Sequence, residues 1–320
     1  AGQTGGGIYN GGTLTVLNGT VSRNSADYGG GISNGRMLTV TNAAISGNSA
    51  NNGGGIANFG DLTVTNGTFA GNSANNLGGG IYNFGTLTVT NGTLCGNSAT
   101  SGGGVYNGYS STMTIADSLI SDNRSESSGG GIYTQAGTLT LVHSTISGNT
   151  TGVSGGQGGG LYVGSSLDTV AILNSVFVGN TAMIGGGVYA AIGSFTIANS
   201  TIAGNSATSS GGGVYASGGT IRLTNSIVAL NAAPGDPDIR GALAAGSGRN
   251  LIGIDPGFVR NPVPGGTDRG DLRLTELSPA VDMGDDAAGA LPGLLVAFEH
   301  DVHRHAGVDG GAVLPVHGRR

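Results

Sequence analysis

Apolar residues recur along the first 231 positions in one short pattern: a single position after a glycine cluster, an alternating pair, and a further single position. The first column is Ile8, Ile32, Ile56, Ile81, Val105, Ile132, Leu161, Val188 and Val214. The pair begins as Leu14/Val16, Leu38/Val40, Leu62/Val64 and Leu87/Val89 and runs on to Ile221/Leu223. The last column is Val21, Ile45, Phe69, Leu94, Ile120, Ile146, Phe177, Ile202 and Val228. Alternation at a period of two predicts strands with one buried face, and the intervening Gly, Asn and Ser predict turns. Three-glycine clusters starting at Gly5, Gly29, Gly53, Gly78, Gly102, Gly129, Gly158, Gly185 and Gly211 set the repeat.

Nine copies of about 24 residues predict a solenoid; a propeller blade needs more residues and a fourth strand. The expectation is an all-β fold, a single-stranded parallel β-helix (β-solenoid) of about nine regular coils. Each coil has three short strands, each pairing with its equivalent in the next coil. At roughly 4.8 Å per coil the rod is about 43 Å long. The extra residues of copies five to seven are expected before the glycines, where a turn can bulge.

Two polar columns fit the same stack. Asn24, Asn48, Asn72, Asn97, Asn123, Asn149, Asn180, Asn205 and Asn231 hold one position in every copy. Six residues earlier stand Asn18, Asn42, Asn66, Asn91, Asp117, His143, Asn174, Asn199 and Asn225. Asn tolerates left-handed turn geometry, and stacked amides can bond along the column. Both columns therefore read as structural ladders, and triplets such as Asn18-Gly19-Thr20 as turn chemistry rather than glycan sites.

Composition narrows the class. Gly is 67 of 320 residues and charged residues are 9 %, but Gly lacks a three-residue period, which excludes collagen. Every basic residue is Arg, and net charge is −6, which argues against nucleic acid or an anionic membrane as partner. No apolar run is long enough to span a bilayer. Cys95, the single cysteine, rules out an internal disulfide and reads as a small filler. A start at Ala1 points to an exported protein with its signal peptide removed or not included.

The units "GGGIYNFGTLTVTNGTLCGN" resemble repeats of bacterial exported surface β-helix proteins, including chlamydial polymorphic outer-membrane proteins with GGA-I/L/V and F-x-x-N motifs. Gly79-Gly80-Ile81 with Leu94-x-x-Asn97 matches approximately; Phe69-x-x-Asn72 and Phe177-x-x-Asn180 match the second motif outright. The resemblance covers residues 1–231 and implies a right-handed β-helix at the cell surface or outside the cell. After Asn231 the composition changes: all eight prolines lie there. Residues 232–320 are thus expected to form irregular C-terminal coils, a cap or an assembly segment. "GRNLIGIDPGF" (248–258) and "LSPAVDMGD" (277–285) resemble the tails of large exported β-helix proteins; "GVDGGAVLPVHGRR" matches those tails only in part.

Enzymatic β-helices gather acids and bases on adjacent coils of one face. Here Asp27, Asp61, Asp117, Asp122, Glu126 and Asp168 fall at different offsets in the repeat. Asp117 and His143 share a column and read as a ladder ion pair. "FEHDVHRH" (298–305) has residue types that suit zinc but reads as a solvated segment. No catalytic residue, cofactor site or metal site is therefore assigned, and polysaccharide cleavage or binding stays open as an alternative. A tyrosine column (Tyr82, Tyr106, Tyr133, Tyr162, Tyr189, Tyr215) reads as turn packing, with sugar stacking open. Thr39/Thr41, Thr63/Thr65 and Thr88/Thr90, continued by Thr15, Thr114, Thr140 and Thr196, form an outward array with ice-like spacing. Ice binding is the minor alternative.

The first repeat starts without a distinct cap, and an unprotected strand edge is a template for adding strands. Gly7, Ile8, Tyr9, Leu14, Val16 and Val21 are the candidate assembly edge. The expected function is a non-enzymatic structural protein, either stacking head to tail with its own copies into a filament or acting as an adhesin toward surface glycans.

Overall fold

The computed structural model describes residues 4–152, 154–165 and 169–280. It is a parallel β-solenoid of about ten turns, with no helix among these residues, hence none long and apolar enough to cross a membrane. In the fourth coil the strands are Ile81–Asn83, Thr86–Thr90, Thr93–Cys95 and Ser98–Ser101. First and second strands of successive coils build one 18-stranded sheet, third strands a 10-stranded sheet and fourth strands an 8-stranded sheet. Pairing between coils is parallel and like meets like: Leu62 and Val64 face Leu87 and Val89, and Phe69 faces Leu94. The apolar columns fill one continuous core in which Ile32, Val40, Ile56, Phe69, Ile120 and Phe177 are fully buried.

Two expectations need correction. Coils one to eight have four strands each, not three, and coil nine merges its first two into Val214–Thr224. The inward residue of the fourth is small: Ala50, Ala74, Ala99, Ala182 and Ala207 are buried there. Alanine beside Ser and Asn carries too little apolar contrast to register as a strand. Coils five and six place Ser125 and Thr151 at that position, and neither hydroxyl has a hydrogen-bond partner among the described residues. Ser125→Ala is expected to raise stability by about 1 kcal/mol, since it removes an unpaired buried hydroxyl; denaturant titration checks this.

The second correction concerns the extra residues. Only those of coil six fall mainly before the glycines, between Thr150–Thr151 and Leu161–Val163. In coil five most lie after the first strand, at 108–111, on the corner before Thr112–Ala116. Those of coil seven fall between Leu161–Val163 and Thr169–Leu173, a stretch only partly among the described residues. Single-residue differences in coil length are absorbed by register shifts in the fourth-strand sheet.

Beyond Asn231, Ile239–Leu243 and Leu251–Ile252 add a tenth coil by pairing with Val214–Thr224 and Ile227–Ala229. Phe258–Arg260 and Asp271–Leu274 then form an antiparallel hairpin. Phe258, with Leu272 and Leu274, packs with Ala203, Ile227 and Ala229 of the third-strand sheet. Leu251, Phe258 and Ala280 are buried, so the described parts of the first two quoted tail segments contribute to packing. Residues 281–285 and the segment GVDGGAVLPVHGRR lie outside the described residues. This stretch lies against the flank of the rod.

Candidate functional site

The interior is bound by amide and hydroxyl ladders. Asn48 donates its backbone N–H and its Nδ2 to Asn72 Oδ1, at 3.1 and 3.0 Å, and Nδ2 also donates to Val21 O at 2.9 Å. One side chain thereby ties three coils. The arrangement repeats through Asn97, Asn123, Asn149, Asn180 and Asn205. These side chains, from Asn72 to Asn205, are fully buried.

The ladder is directional, because every asparagine donates toward the next coil. Its far end needs a group that only accepts, and Asn231 donates from N and Nδ2 to Asp238 Oδ1, at 3.2 and 2.9 Å. Burial pushes the Asp238 carboxyl above its ordinary value, against the lowering effect of Asn231's hydrogen bonds. A raised acid favours the folded state most below the unfolded value of 3.8, and that contribution is lost as pH rises through the elevated folded value. Asp238→Asn is expected to flatten the pH dependence of stability across this window, measured by denaturant titrations from pH 3.5 to neutrality (roughly the span between an unfolded Asp and physiological pH).

The second expected column is exposed from Asn18 to His143, half-buried at Asn174 and Asn199 and buried at Asn225. Asn18, Asn42, Asn66, Asn91, Asp117, His143, Asn174, Asn199 and Asn225 all have φ between 46° and 54°, the left-handed region that Asn tolerates. Asn42 and Asn66 donate back to the preceding coil's Oδ1 at 3.2 and 2.8 Å.

Two further ladders escaped the sequence reading. Asn10, Asn34, Asn58, Asn83 and Asn107 are bonded Nδ2 to Oδ1 at 2.7–2.8 Å. Their signal was the Asn two residues after each first-column aliphatic. In the later coils Ser118, Ser144, Ser175, Ser200 and Ser226 form a hydroxyl ladder, each Oγ receiving the preceding coil's backbone N–H. Earlier coils carry Gly19, Ala43, Gly67 and Gly92 there, so the column looked unconstrained.

Asp27 and Glu126 prove to share one outer column of the fourth strands, four coils apart, because the repeat's length differences hide their common register. The other acids occupy different places on the coil. Asp27 accepts from Asn51 Nδ2 at 2.8 Å, and Glu126 accepts from Thr100 Oγ1 at 3.3 Å. Asp117 Oδ1 lies 3.6 Å from His143 Nδ1 with both side chains about half exposed, and Asp122 pairs with Arg269. Asp61 opens a second strand on the sheet's outer face. Among the described residues no group of three His, Cys, Asp or Glu converges to hold a metal ion. Asp168 and the 298–305 segment lie outside the described residues. Cys95 is half-buried; burial, with Asp122 nearby, pushes its thiol up, which disfavours the reactive thiolate.

The tyrosines stack on one another. From Tyr82 to Tyr215 successive ring centroids are 4.6–5.6 Å apart with interplanar angles of 5–21°, and Arg240 lies 5.7 Å over the last ring. The ring faces on which a sugar would stack are thus occupied by neighbouring rings. The threonines stand in register on the outer face of the second strands: Thr63, Thr88 and Thr114 in one column, Thr65 and Thr90 in the next. Thr86, Thr112 and Thr138 add a third column.

At the candidate edge, Ile8, Leu14 and Val16 are only partly buried, whereas Ile32, Leu38 and Val40 in the next coil are at most 1 % exposed. Tyr9 is 64 % exposed and Val21 buried, and Gly7 N–H bonds to Gly30 and Gly31 carbonyls.

The architecture is that of a parallel β-solenoid repeat protein. A family model, the Chlamydia polymorphic membrane protein repeat, matches residues 117–135, which run from the turn at Asp117 through the third and fourth strands into the first strand of coil six. No curated protein and no solved structure matches the chain.

Proposed function

We propose that this chain is a non-enzymatic repeat protein of the cell surface or extracellular space, a stiff β-solenoid of the adhesin type. The observation that carries this reading is the in-register stack itself. Pairing and buried ladders satisfy the backbone from coil to coil, so outward positions are free to vary without cost to the rod. The match of one repeat to a polymorphic membrane protein family supports the surface location. Acids dispersed over a second strand (Asp61), two turns (Asp117, Asp122) and fourth strands four coils apart (Asp27, Glu126) support a structural role over a hydrolytic one. Protease treatment of intact producing cells tests the location: a surface protein is cleaved while cytosolic markers survive. Protection until the cells are lysed would defeat the reading.

A second reading is head-to-tail stacking with further copies, supported by the like-on-like parallel pairing of successive coils, a contact that an equivalent coil of another copy can repeat. Electron microscopy of the concentrated pure protein should then reveal filaments many subunits long, and Val16→Lys should shorten them at unchanged secondary structure. Monodisperse rods of one-molecule length would end this second reading.

A further inference from the structure

Coils two to eight carry, one residue before the buried ladder asparagine, Gly47, Gly71, Gly96, Asp122, Gly148, Gly179 and Gly204, all at φ between 55° and 65°. Asp122 departs from the column. A side chain is disfavoured at such a φ, and the equivalent turns in adjacent coils form with glycine. What Asp122 meets comes from 147 residues away: Arg269 Nη2 donates to its Oδ1 at 2.9 Å. Arg269 Nη1 donates to Gly179 O at 3.1 Å and to Gly266 O at 3.0 Å. The guanidinium thus reaches across coils five to seven, with its side chain only 17 % exposed.

The glycines beneath have a second role. A Cβ on Gly148 or Gly179 would collide with the Arg269 guanidinium, and one on Gly204 would collide with Pro262. Gly265 N–H also bonds to Gly204 O at 3.1 Å. Gly71, in the same column with the same left-handed φ, has nothing within 4 Å of the Cβ position.

We infer that residues 255–278 are a strap closed along the flank of the solenoid by an Arg269–Asp122 latch, with Gly148, Gly179 and Gly204 as its bed. Opening it uncovers the apolar row of Ala203, Ile227 and Ala229 on the third-strand sheet while leaving the coils paired.

Hydrogen exchange on the full chain tests the latch. Asp122→Gly installs the residue its column neighbours carry, so the coil is expected to fold normally. Amides of 257–275 should then exchange about tenfold faster or more, the loss expected for a charged hydrogen bond, while ladder amides of coils two to eight keep their protection. Salt should accelerate strap exchange in the parent and less in the variant. Gly148→Ala and Gly71→Ala share the backbone cost of a left-handed alanine; only Gly148→Ala should also free the strap. Exchanging the pair (Asp122→Arg with Arg269→Asp) should restore part of the protection, since Arg23 already occupies the equivalent turn at φ 58°. Unchanged strap exchange in Asp122→Gly, or equal strap exchange in the two alanine variants, overturns the inference.

Discussion

Asn97→Ala is expected to destabilise the solenoid by about 3–5 kcal/mol, several times the effect of a surface asparagine substitution. Asn97 Oδ1 accepts both the backbone N–H and the Nδ2 of Asn72, at 2.9 and 3.0 Å. Its own Nδ2 donates to Phe69 O and Asn123 Oδ1. Alanine leaves the Asn72 backbone N–H and one Nδ2 hydrogen of Asn72 unpaired in a fully buried place, its other Nδ2 hydrogen keeping Ile45 O. It also removes the side-chain donor to Phe69 O, and each orphan costs about 1–3 kcal/mol. Asn97→Asp keeps the acceptor but loses both side-chain donations, so it should not rescue. By contrast, Asn66→Ala alters an exposed ladder and imposes a left-handed alanine, worth about 1 kcal/mol. Denaturant midpoints of the three variants check this order; near-equal losses for Asn66→Ala and Asn97→Ala would show that the buried ladder is not what binds the coils.

Phe177→Ala should cost a comparable amount, about 3–5 kcal/mol, for a different reason. Phe177 is fully buried and lies in register between Ile146 and Ile202. Those strands are fixed by pairing on both sides, so the coil cannot close over the void. Phe177→Leu should recover most of the loss, because the column accepts Ile, Leu and Val elsewhere. Thermal unfolding with an apolar dye would separate the two cases: the alanine variant unfolds at markedly lower temperature, the leucine variant near the parent.

Both variants act on columns visible in the sequence. In a parallel solenoid every strand meets its own equivalent one repeat away. The period therefore writes the contact map directly, and Ile45, Phe69 and Leu94 could be placed together before any coordinates. Chemistry was less legible. Asp117 and His143 stand together as their shared column indicates, but Asp122 found its partner outside the repeat. Repetition placed the tyrosines side by side; ring orientation decided that their faces are covered. The fourth strand went unread because its inward residues are alanine, serine and threonine, which pack there without an apolar signal.

By itself the sequence determined the all-β class, the coil length, the four apolar columns and the two asparagine columns, since each is a local pattern repeated at a fixed spacing. Only the tertiary structure decided the fourth strand, the serine ladder, the Asp238 terminus and the strap held at Asp122. Those depend on contacts made once, or between residues far apart in the chain, and such contacts leave no period to read.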